Sequence, residues 1–298
     1  MNINIVTVTS GWILQKIAER TASNNKDPSI KISVSHTPDY DADVNFYIDI
    51  QNCYSGYRTK CDIGYLTHAD LDSSEWLTNL MLTQGGYGLD GIVSMNGRYT
   101  KMLTSIGYPV RRSATITPGE THGTFPLRKI VLGIVSRGGW PGYGQQFMEK
   151  FLSTYDCKCF KFRFLGRGWD ALKPISAAHN IDIEFIDDSD YSLYPKFYHT
   201  IDHLLIPGMW TAGPMSMQEA LSCGVSIIGA DVGFVNYEFR ADYVFPPGDV
   251  DGLSKILSEI QLPILKRRSQ VESMTWCGYT KTVVEFIKRI KSYDISRK

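Results

Sequence analysis

The sequence has 298 residues, which is enough for one large or two ordinary domains, and we expect two. Hydrophobic residues make up 43% and aromatic residues 12%, as in folded soluble proteins, and no apolar run approaches the ~18 residues of a membrane span. Lysine and arginine together number 31, and so do aspartate and glutamate. No sequence-wide positive charge therefore favours a nucleic-acid backbone as the partner.

The N-terminal residues 1–8 lack a basic head and a small-residue cleavage site, so they predict a first β-strand and a cytoplasmic protein. The six cysteines include no CxxC pair, which argues against a disulfide framework and against a zinc site. Basic residues cluster at 266–268 and 288–298. We interpret them as solvated helix faces, the alternative being contact with an acidic acceptor or an anionic membrane surface.

The first part of the chain alternates short β-branched runs with helical patterns, which is typical of a parallel α/β sheet. The predicted strands are 3–8, 31–35, 44–50, 63–67 and 91–95, and the predicted helices are 12–22, 76–83 and 99–106. Residues 116–128 contain two prolines and two glycines without a sustained period, which predicts a linker and a domain boundary near residue 127.

The alternation restarts after the linker and predicts a second doubly wound sheet. Its predicted strands are 129–136, 159–165, 183–186, 203–206 and 225–228, with helices at 145–155 and 251–260 and around Glu219. Apolar residues recur at helical spacing over 274–290, which predicts an amphipathic final helix.

Residues 207–229 combine a Gly-Pro turn, a short helix carrying Glu219, a glycine stop and an apolar strand. Such a turn leaves backbone N–H groups at the start of the helix, where the helix dipole favours a diphosphate. The Glu219 carboxylate, one or two turns later, can accept hydrogen bonds from both hydroxyls of a ribose. The alternative is a carboxylate that caps a neighbouring loop.

Two further loops follow predicted strands of the second sheet. The glycine-rich loop 136–144 opens a helix, so Arg137 and the Gly138 amide could hold a pyrophosphate, or the glycines could simply allow close strand–helix packing. Arg167 could contact a phosphate or a base, or could be a surface arginine. Phe185 and Ile186 could shape a slot for a base or could end a strand, and the sequence does not separate the two.

The segment 207–229 resembles the donor-binding segment of retaining GT-B glycosyltransferases of family 4 (group 1). That pattern runs glutamate, two small residues, proline or glycine, a spacer, Glu-Ala, a small pair and glycine before a valine-isoleucine strand. Thr211 stands where the family usually has its first glutamate, and the lysine that usually follows the arginine at Arg137 is absent. The resemblance covers roughly residues 129–245.

The resemblance implies a GT-B fold with two Rossmann-like domains, 1–127 on the acceptor side and 128–272 binding the donor. It also implies that the segment 273–298 crosses back onto the first domain. The implied reaction is transfer of a hexosyl or pentosyl group from a nucleoside diphosphate sugar to an acceptor hydroxyl, with retention and without a metal or other cofactor. The residues implied to contact the donor are Gly11, Arg137, Gly138, Arg167, Thr211, Ala212, Gly213, Pro214, Met215 and Glu219.

The resemblance assigns catalytic roles to His68, Arg137 and Glu219. His68 follows the strand 63–67, at the carboxyl end where α/β sites lie, and Asp70 beside it is a weaker candidate. A lone histidine is more often structural, which is the alternative for His68. Three aspartates at 39, 41 and 43 are interpreted as an acidic turn rather than a metal site, because Val44 stands where a calcium loop needs glycine.

The sequence is compatible with three functions. The first is the transferase just described, with a glycan, lipid-linked or nucleic-acid-base acceptor. The second is a DNA-base glycosyltransferase of the viral type, against which the balanced charge counts. The third is a non-catalytic nucleotide-sugar binder, which Thr211 and the absent lysine favour. Sugar, nucleotide and oligomeric state are not predicted.

Overall fold

The computed structural model of the protein describes residues 1–7, 13–56, 59–68, 88–119, 125–140, 142–187, 190–210 and 213–295. The chain divides into two compact units, one formed by residues 1–125 with 271–298 and the other by residues 126–270. Within the described residues each unit is built on one parallel sheet of six strands with flanking helices. The predicted α/β class with two Rossmann-like units is confirmed.

The sheet of the first unit has the order β2-β1-β3-β4-β5-β6. Its strands are β1 (Asn2–Val6), β2 (Lys31–Ser35), β3 (Val44–Tyr47), β4 (Asp62–Leu66), β5 (Gly91–Ser94) and β6 (Ser113–Thr115). The helices described between them are α1 (Ile13–Ser23), α2 (Ile50–Cys53) and α3 (Gly97–Ser105). Strands β1, β3, β4 and β5 are buried almost throughout, as expected for parallel strands covered on both faces.

The sheet of the second unit has the order β12-β11-β10-β7-β8-β9. Its strands are β7 (Ile130–Val135), β8 (Phe160–Leu165), β9 (Asp182–Ile186), β10 (His203–Ile206), β11 (Ser226–Ala230) and β12 (Tyr243–Phe245). The helices are α4 (Gln145–Thr154), α5 (Leu172–His179), α6 (Tyr194–Tyr198), α7 (Met215–Ser222) and α8 (Val250–Ser269). Aromatic side chains of β8 pack with those of α4 in the core, where Phe151 and Phe162 lie with their ring centroids 6.4 Å apart.

The last helix, α9 (Trp276–Ile295), belongs to the first unit. Its Val283, Phe286, Ile287 and Ile290 are all buried in the core that β1, β3 and β4 form. A Cβ atom at Gly91 would lie 2.9 Å from Ile290, so this glycine lets the helix approach β5 closely. The predicted return of the C-terminal helix to the first domain is confirmed.

Two ion pairs join α9 to loops of the first unit. The Lys288 ammonium donates to Asp27 at 2.8 Å, and the Lys291 ammonium donates to Asp43 at 3.1 Å. Hydrogen bonds from Lys288 and then Ser29 lower the pKa of Asp27 to about 2. The Asn2 backbone N–H, and after it Lys291, lower the pKa of Asp43. The ion pairs therefore add surface contacts to the apolar packing of the helix.

A buried polar cluster lies at the start of β4. The Asp62 carboxylate accepts the Tyr47 hydroxyl at 3.0 Å, the Thr59 hydroxyl at 2.7 Å and the Thr59 backbone N–H at 2.7 Å. The Asp62 N–H in turn donates to the Asp90 carboxylate at 2.9 Å. Asp62 has no solvent exposure, so these donors replace the water that the carboxylate has lost.

Among the helices of the described residues, none is long and apolar enough to cross a membrane.

Candidate functional site

The main pocket of the second unit has a volume of about 590 Å³ and opens at the carboxyl ends of β7, β8 and β10. After β7 the chain adds β8 and β9 on one side of that strand, and then β10 to β12 on the other. Loops that leave β7 and β10 therefore run in opposite directions and open a crevice between them. Ligands of doubly wound sheets bind at such a switch point.

Helix α7 begins at this pocket. Met215 and Ser216 of its first turn line the cavity, and the N-cap residue Pro214 offers no side-chain cap to the first amides. Uncapped first-turn N–H groups together with the helix dipole favour an anion. Gly213 packs directly against the Phe234 ring and leaves no space for a Cβ atom, so the turn ahead of the helix requires glycine there. The predicted donor residues Gly213, Pro214 and Met215 all line the pocket.

Glu219 lines the same pocket, and each of its carboxylate oxygens accepts a tyrosine hydroxyl. Tyr198 donates to Oε2 at 2.6 Å, and Tyr191 donates to Oε1 at 2.5 Å. Burial and the Glu219 contact raise the pKa of Tyr198, while the Glu219 contact raises that of Tyr191. A carboxylate can only accept hydrogen bonds, and here both oxygens of Glu219 are already engaged by a tyrosine hydroxyl.

Arg137 follows β7, is exposed and also lines the pocket. Among the described lining residues, Arg137 and Glu219 carry the charges, one of each sign. The guanidinium is a permanent cation with a donor geometry that suits phosphate. The structure thus places two of the three predicted catalytic side chains at one pocket.

Gly138 lies beside the pocket lining and not within it. Its backbone N–H donates to the carbonyl of Arg167 at 2.7 Å, and its Cα packs on the backbone of Gly168. In this structure that amide pairs the two loops after β7 and β8. Gly138 thus allows close packing of two loops, whereas the alternative interpretation expected close packing of a strand and a helix.

Arg167 pairs with Asp187 at 3.2 Å, and both side chains are about two-thirds exposed. It is absent from the described lining of the pocket. Phe185 stacks on Phe164 with ring centroids 5.5 Å apart, while Ile186, the end of β9, packs into the core beneath the sheet. None of these positions contributes to the pocket lining.

His68 lies just after β4 in the first unit, where it is exposed and its Nδ1 is 2.9 Å from the Thr67 hydroxyl oxygen. The structure places it at the carboxyl end of a strand, as the sequence predicts, and its proposed role stays a prediction. Four other candidates lie outside the described residues: Gly11, Asp70, Thr211 and Ala212.

Several pocket residues were missed by sequence reasoning, among them Ser136, Tyr143, Tyr191 and Tyr194. The Tyr191 and Tyr194 rings lie 4.6 Å apart, and with Tyr198 they recur at spacings of three and four residues. That helical spacing of tyrosines next to a strand end was the available signal. The Ser136 hydroxyl is buried and has no hydrogen-bond partner among the described residues.

Within the described part of the chain, no three His, Cys, Asp or Glu side chains are grouped to hold a metal ion. The three clustered aspartates act in other contacts. Asp39 accepts the Asp41 N–H at 2.9 Å, and Asp43 accepts the Asn2 N–H at 2.8 Å. These contacts are those of a turn that leads into β3.

Comparison with solved structures returns glycosyltransferases at low identity. HepE of Anabaena in complex with UDP-glucose is 12% identical, with 99% of this chain and 100% of that chain covered and a TM-score of 0.40. A glycosyltransferase of Rickettsia africae is 11% identical over 97% and 98% of the two chains, with a TM-score of 0.40. The lipopolysaccharide outer core galactosyltransferase WaaB, in its apo form, is 13% identical over 96% and 99%, with a TM-score of 0.38.

No family model matches the chain, and no curated protein matches it in sequence. A shared fold at such low identity does not define an activity, which depends on the pocket and its residues.

Proposed function

We propose that this protein is a glycosyltransferase that uses a nucleoside diphosphate sugar as its donor. The observation that carries the proposal is the arrangement of one pocket in the second unit. Arg137, the first turn of α7 and the Glu219 carboxylate all line a cavity of about 590 Å³ at the switch point of the sheet. Cavities of this size suit cofactor-sized ligands.

The diphosphate and the ribose of such a donor each have a matching group in the pocket. The diphosphate fits at the uncapped start of α7, with Arg137 as its counter-ion. The ribose hydroxyls are donors, and Glu219, one turn further along the same helix, is the acceptor that they require. A nucleoside diphosphate therefore satisfies both the positive and the negative group of the lining.

The proposed reaction breaks the bond between the anomeric carbon and the diphosphate oxygen, whose electron pair leaves with the diphosphate. Arg137 and the amides of α7 stabilise the negative charge that develops on the leaving group. The acceptor hydroxyl attacks the anomeric carbon from the face that the diphosphate vacates, and its proton passes to the departing phosphate oxygen. The configuration is retained, and in this proposal the arginine and the helix amides fill the role that a metal ion fills in other transferases.

The donor sugar of this proposal carries fewer hydroxyls than a common hexose, as a pentose or deoxy sugar does. The reason is Thr211, which stands where the resembling family has a glutamate that accepts hydrogen bonds from the sugar. A threonine hydroxyl cannot accept two of them in the manner of a carboxylate. The backbone N–H groups of Gly213 and Met215 are the remaining contacts for that sugar.

The test is a thermal-shift panel of nucleoside diphosphate sugars, including pentose and deoxy donors, followed by an assay for released nucleoside diphosphate. We expect one donor to raise the melting temperature of the wild type but not that of Glu219→Ala or Arg137→Ala. Arg128→Ala is the control, because Arg128 pairs with Asp202 at the surface, away from the pocket lining. The anomeric configuration of the product, measured by NMR, tests retention.

Two results would count against the proposal in different ways. Stabilisation by a donor without turnover in the presence of candidate acceptors would favour a non-catalytic nucleotide-sugar binder. Absence of stabilisation by every donor would remove the donor site itself.

A further inference from the structure

The two tyrosines that bind Glu219 differ sharply in their environments. Tyr198, in α6, is 1% exposed, and its hydroxyl reaches Oε2 from inside the unit. Tyr191 is 66% exposed, and its hydroxyl reaches Oε1 from the pocket side. The carboxylate is therefore held from the protein side and covered from the solvent side.

The environments determine which of the two hydrogen bonds can be exchanged. If the Tyr198 hydroxyl left Glu219 it would remain buried without a hydrogen-bond partner, which is strongly unfavourable. The Tyr191 hydroxyl would instead be solvated by water. A ligand hydroxyl can thus replace that of Tyr191 in a nearly even exchange, but not that of Tyr198.

Tyr191 is itself held at the pocket by local contacts. It begins a short 3-10 helix whose N-cap residue Asp190 accepts the Ser192 N–H at 2.9 Å. Its ring packs against that of Tyr194, 4.6 Å between centroids, and both rings line the pocket. The ring can stay in this position while the hydroxyl changes its partner.

We propose that the Tyr191 hydroxyl occupies, in the ligand-free protein, the place on Glu219 that a ribose hydroxyl takes, while Tyr198 positions the carboxylate. The inference rests on the proposed function and deepens it. It makes the pocket selective for nucleotides with free ribose hydroxyls, since a ligand without them leaves Tyr191 on Oε1. Tyr191 then acts as a competitor of the ligand, and Tyr198 acts as a positioning residue.

The test compares Tyr191→Phe with Tyr198→Phe, two variants that each lose one phenolic oxygen. Tyr237→Phe is the matched control, because Tyr237 is 86% exposed and outside the described pocket lining. Dissociation constants are measured by calorimetry for UDP, GDP and ADP, and for the 2′,3′-dideoxy analogue of the tightest binder. Thermal unfolding of each variant checks that the fold is intact.

Opposite effects are expected from the two variants. Tyr191→Phe should tighten binding of the ribonucleotide by about 3-fold or more and leave the dideoxy analogue unchanged, because only the ribonucleotide displaces Tyr191. Tyr198→Phe should weaken ribonucleotide binding by about 10-fold and reduce the preference over the dideoxy analogue. A purely structural role for both tyrosines would shift the two variants in the same direction.

The possible outcomes distinguish a failure of the role proposed for Tyr191 from a failure of nucleotide binding in the pocket. If wild type binds a ribonucleotide and Tyr191→Phe binds it equally, the donor pocket stands and the role of Tyr191 is overturned. If only Tyr191→Phe binds, the competition is supported in its strongest form. If neither protein binds any of the nucleotides, both proposals fail together.

Discussion

Gly138 and Gly168 lie backbone against backbone, and a Cβ atom on Gly168 would lie 2.5 Å from the Gly138 carbonyl oxygen. The Gly138 N–H also donates to the Arg167 carbonyl at 2.7 Å. The loops after β7 and β8 are thereby joined next to Arg137. The position of the one described cation of the pocket lining depends on this contact between two glycines.

Replacing Gly138 by alanine should destabilise the second unit, because the new methyl group would meet the Gly168 backbone, which cannot move like a side chain. We expect the free energy of unfolding to fall by about 1–3 kcal/mol. Urea unfolding followed by circular dichroism measures it. Gly97→Ala is the control, since a Cβ there meets nothing within 4 Å, and equal effects of the two changes would contradict the packing argument.

The Asp62 carboxylate accepts three hydrogen bonds in the first unit. Asp62→Ala should therefore lower the free energy of unfolding more than Asp62→Asn does. In Asp62→Ala the Tyr47 hydroxyl and the Thr59 N–H lose their buried acceptor, and the loss should be roughly 3 kcal/mol or more. In Asp62→Asn the amide oxygen can still accept the Thr59 N–H, and the amide NH₂ can donate to the Tyr47 and Thr59 hydroxyls. We therefore expect the free energy of unfolding to fall by only about 1 kcal/mol. Chemical unfolding of both variants would refute this if the losses were equal.

The attachment of α9 should weaken in acid. Hydrogen bonds from Lys288 and, to a smaller extent, from the Ser29 hydroxyl and backbone N–H hold the pKa of Asp27 at about 2 in the folded protein, below the ordinary value of 3.8. A lowered folded pKa gives a contribution that is present above pH 4 and is lost as the pH falls towards 2. The melting temperature of wild type should therefore fall over this range more steeply than that of Asp27→Asn. Parallel curves would show that the ion pair contributes nothing.

Removing α9 should prevent the first unit from folding. A chain ending at Gln270 loses the buried Val283, Phe286, Ile287 and Ile290, each worth about 1.5–3 kcal/mol when buried. Together they amount to much of the ~5–15 kcal/mol that keeps a domain folded. A chain ending at Ile295 is the control.

The fragment 126–270 should fold by itself, since it contains a complete sheet and core. Circular dichroism and amide NMR dispersion of both truncations and of the fragment measure this. A folded first unit in the chain ending at Gln270 would contradict the assigned role of α9.

Hydrophobic alternation predicted the two sheets and located most strands closely. The predicted bounds of 31–35 and 203–206 coincide with β2 and β10. Such strands carry a local signal, because their apolar runs end abruptly at polar residues or at turn formers. The sequence-predicted strand 44–50 is wrong in its second half, since β3 ends at Tyr47 and α2 begins at Ile50.

Helices that contain a proline were harder to predict from the sequence than the strands were. The helix predicted over 251–260 continues as α8 to Ser269, through Pro263, although proline removes a helix hydrogen bond. Helix α5 was missed, and its Pro174 lies in the first turn, where no amide donor is needed. The buried residues of α8 are Val250, Leu253 and Leu257, so its extension past residue 260 is not marked by a buried face.

The site was predictable where one short segment carries it. The turn, the helix start and Glu219 lie within seven residues, so a single sequence motif predicts all three. The partners of Glu219 lie 28 and 21 residues earlier in the chain, and only the fold brings Tyr191 and Tyr198 to it. The spacing of the tyrosines marks a helical segment in the sequence, but their contact with Glu219 leaves no pattern there.

The first unit is interrupted in the chain by the whole of the second, because α9 follows residue 270. During synthesis, residues 126–270 leave the ribosome before the helix that completes the first core has been made. The second unit can therefore fold while the first is still unfinished, with the apolar surface that α9 later covers open to solvent or to chaperones. The unit that begins second in the sequence can therefore be the first to complete its core.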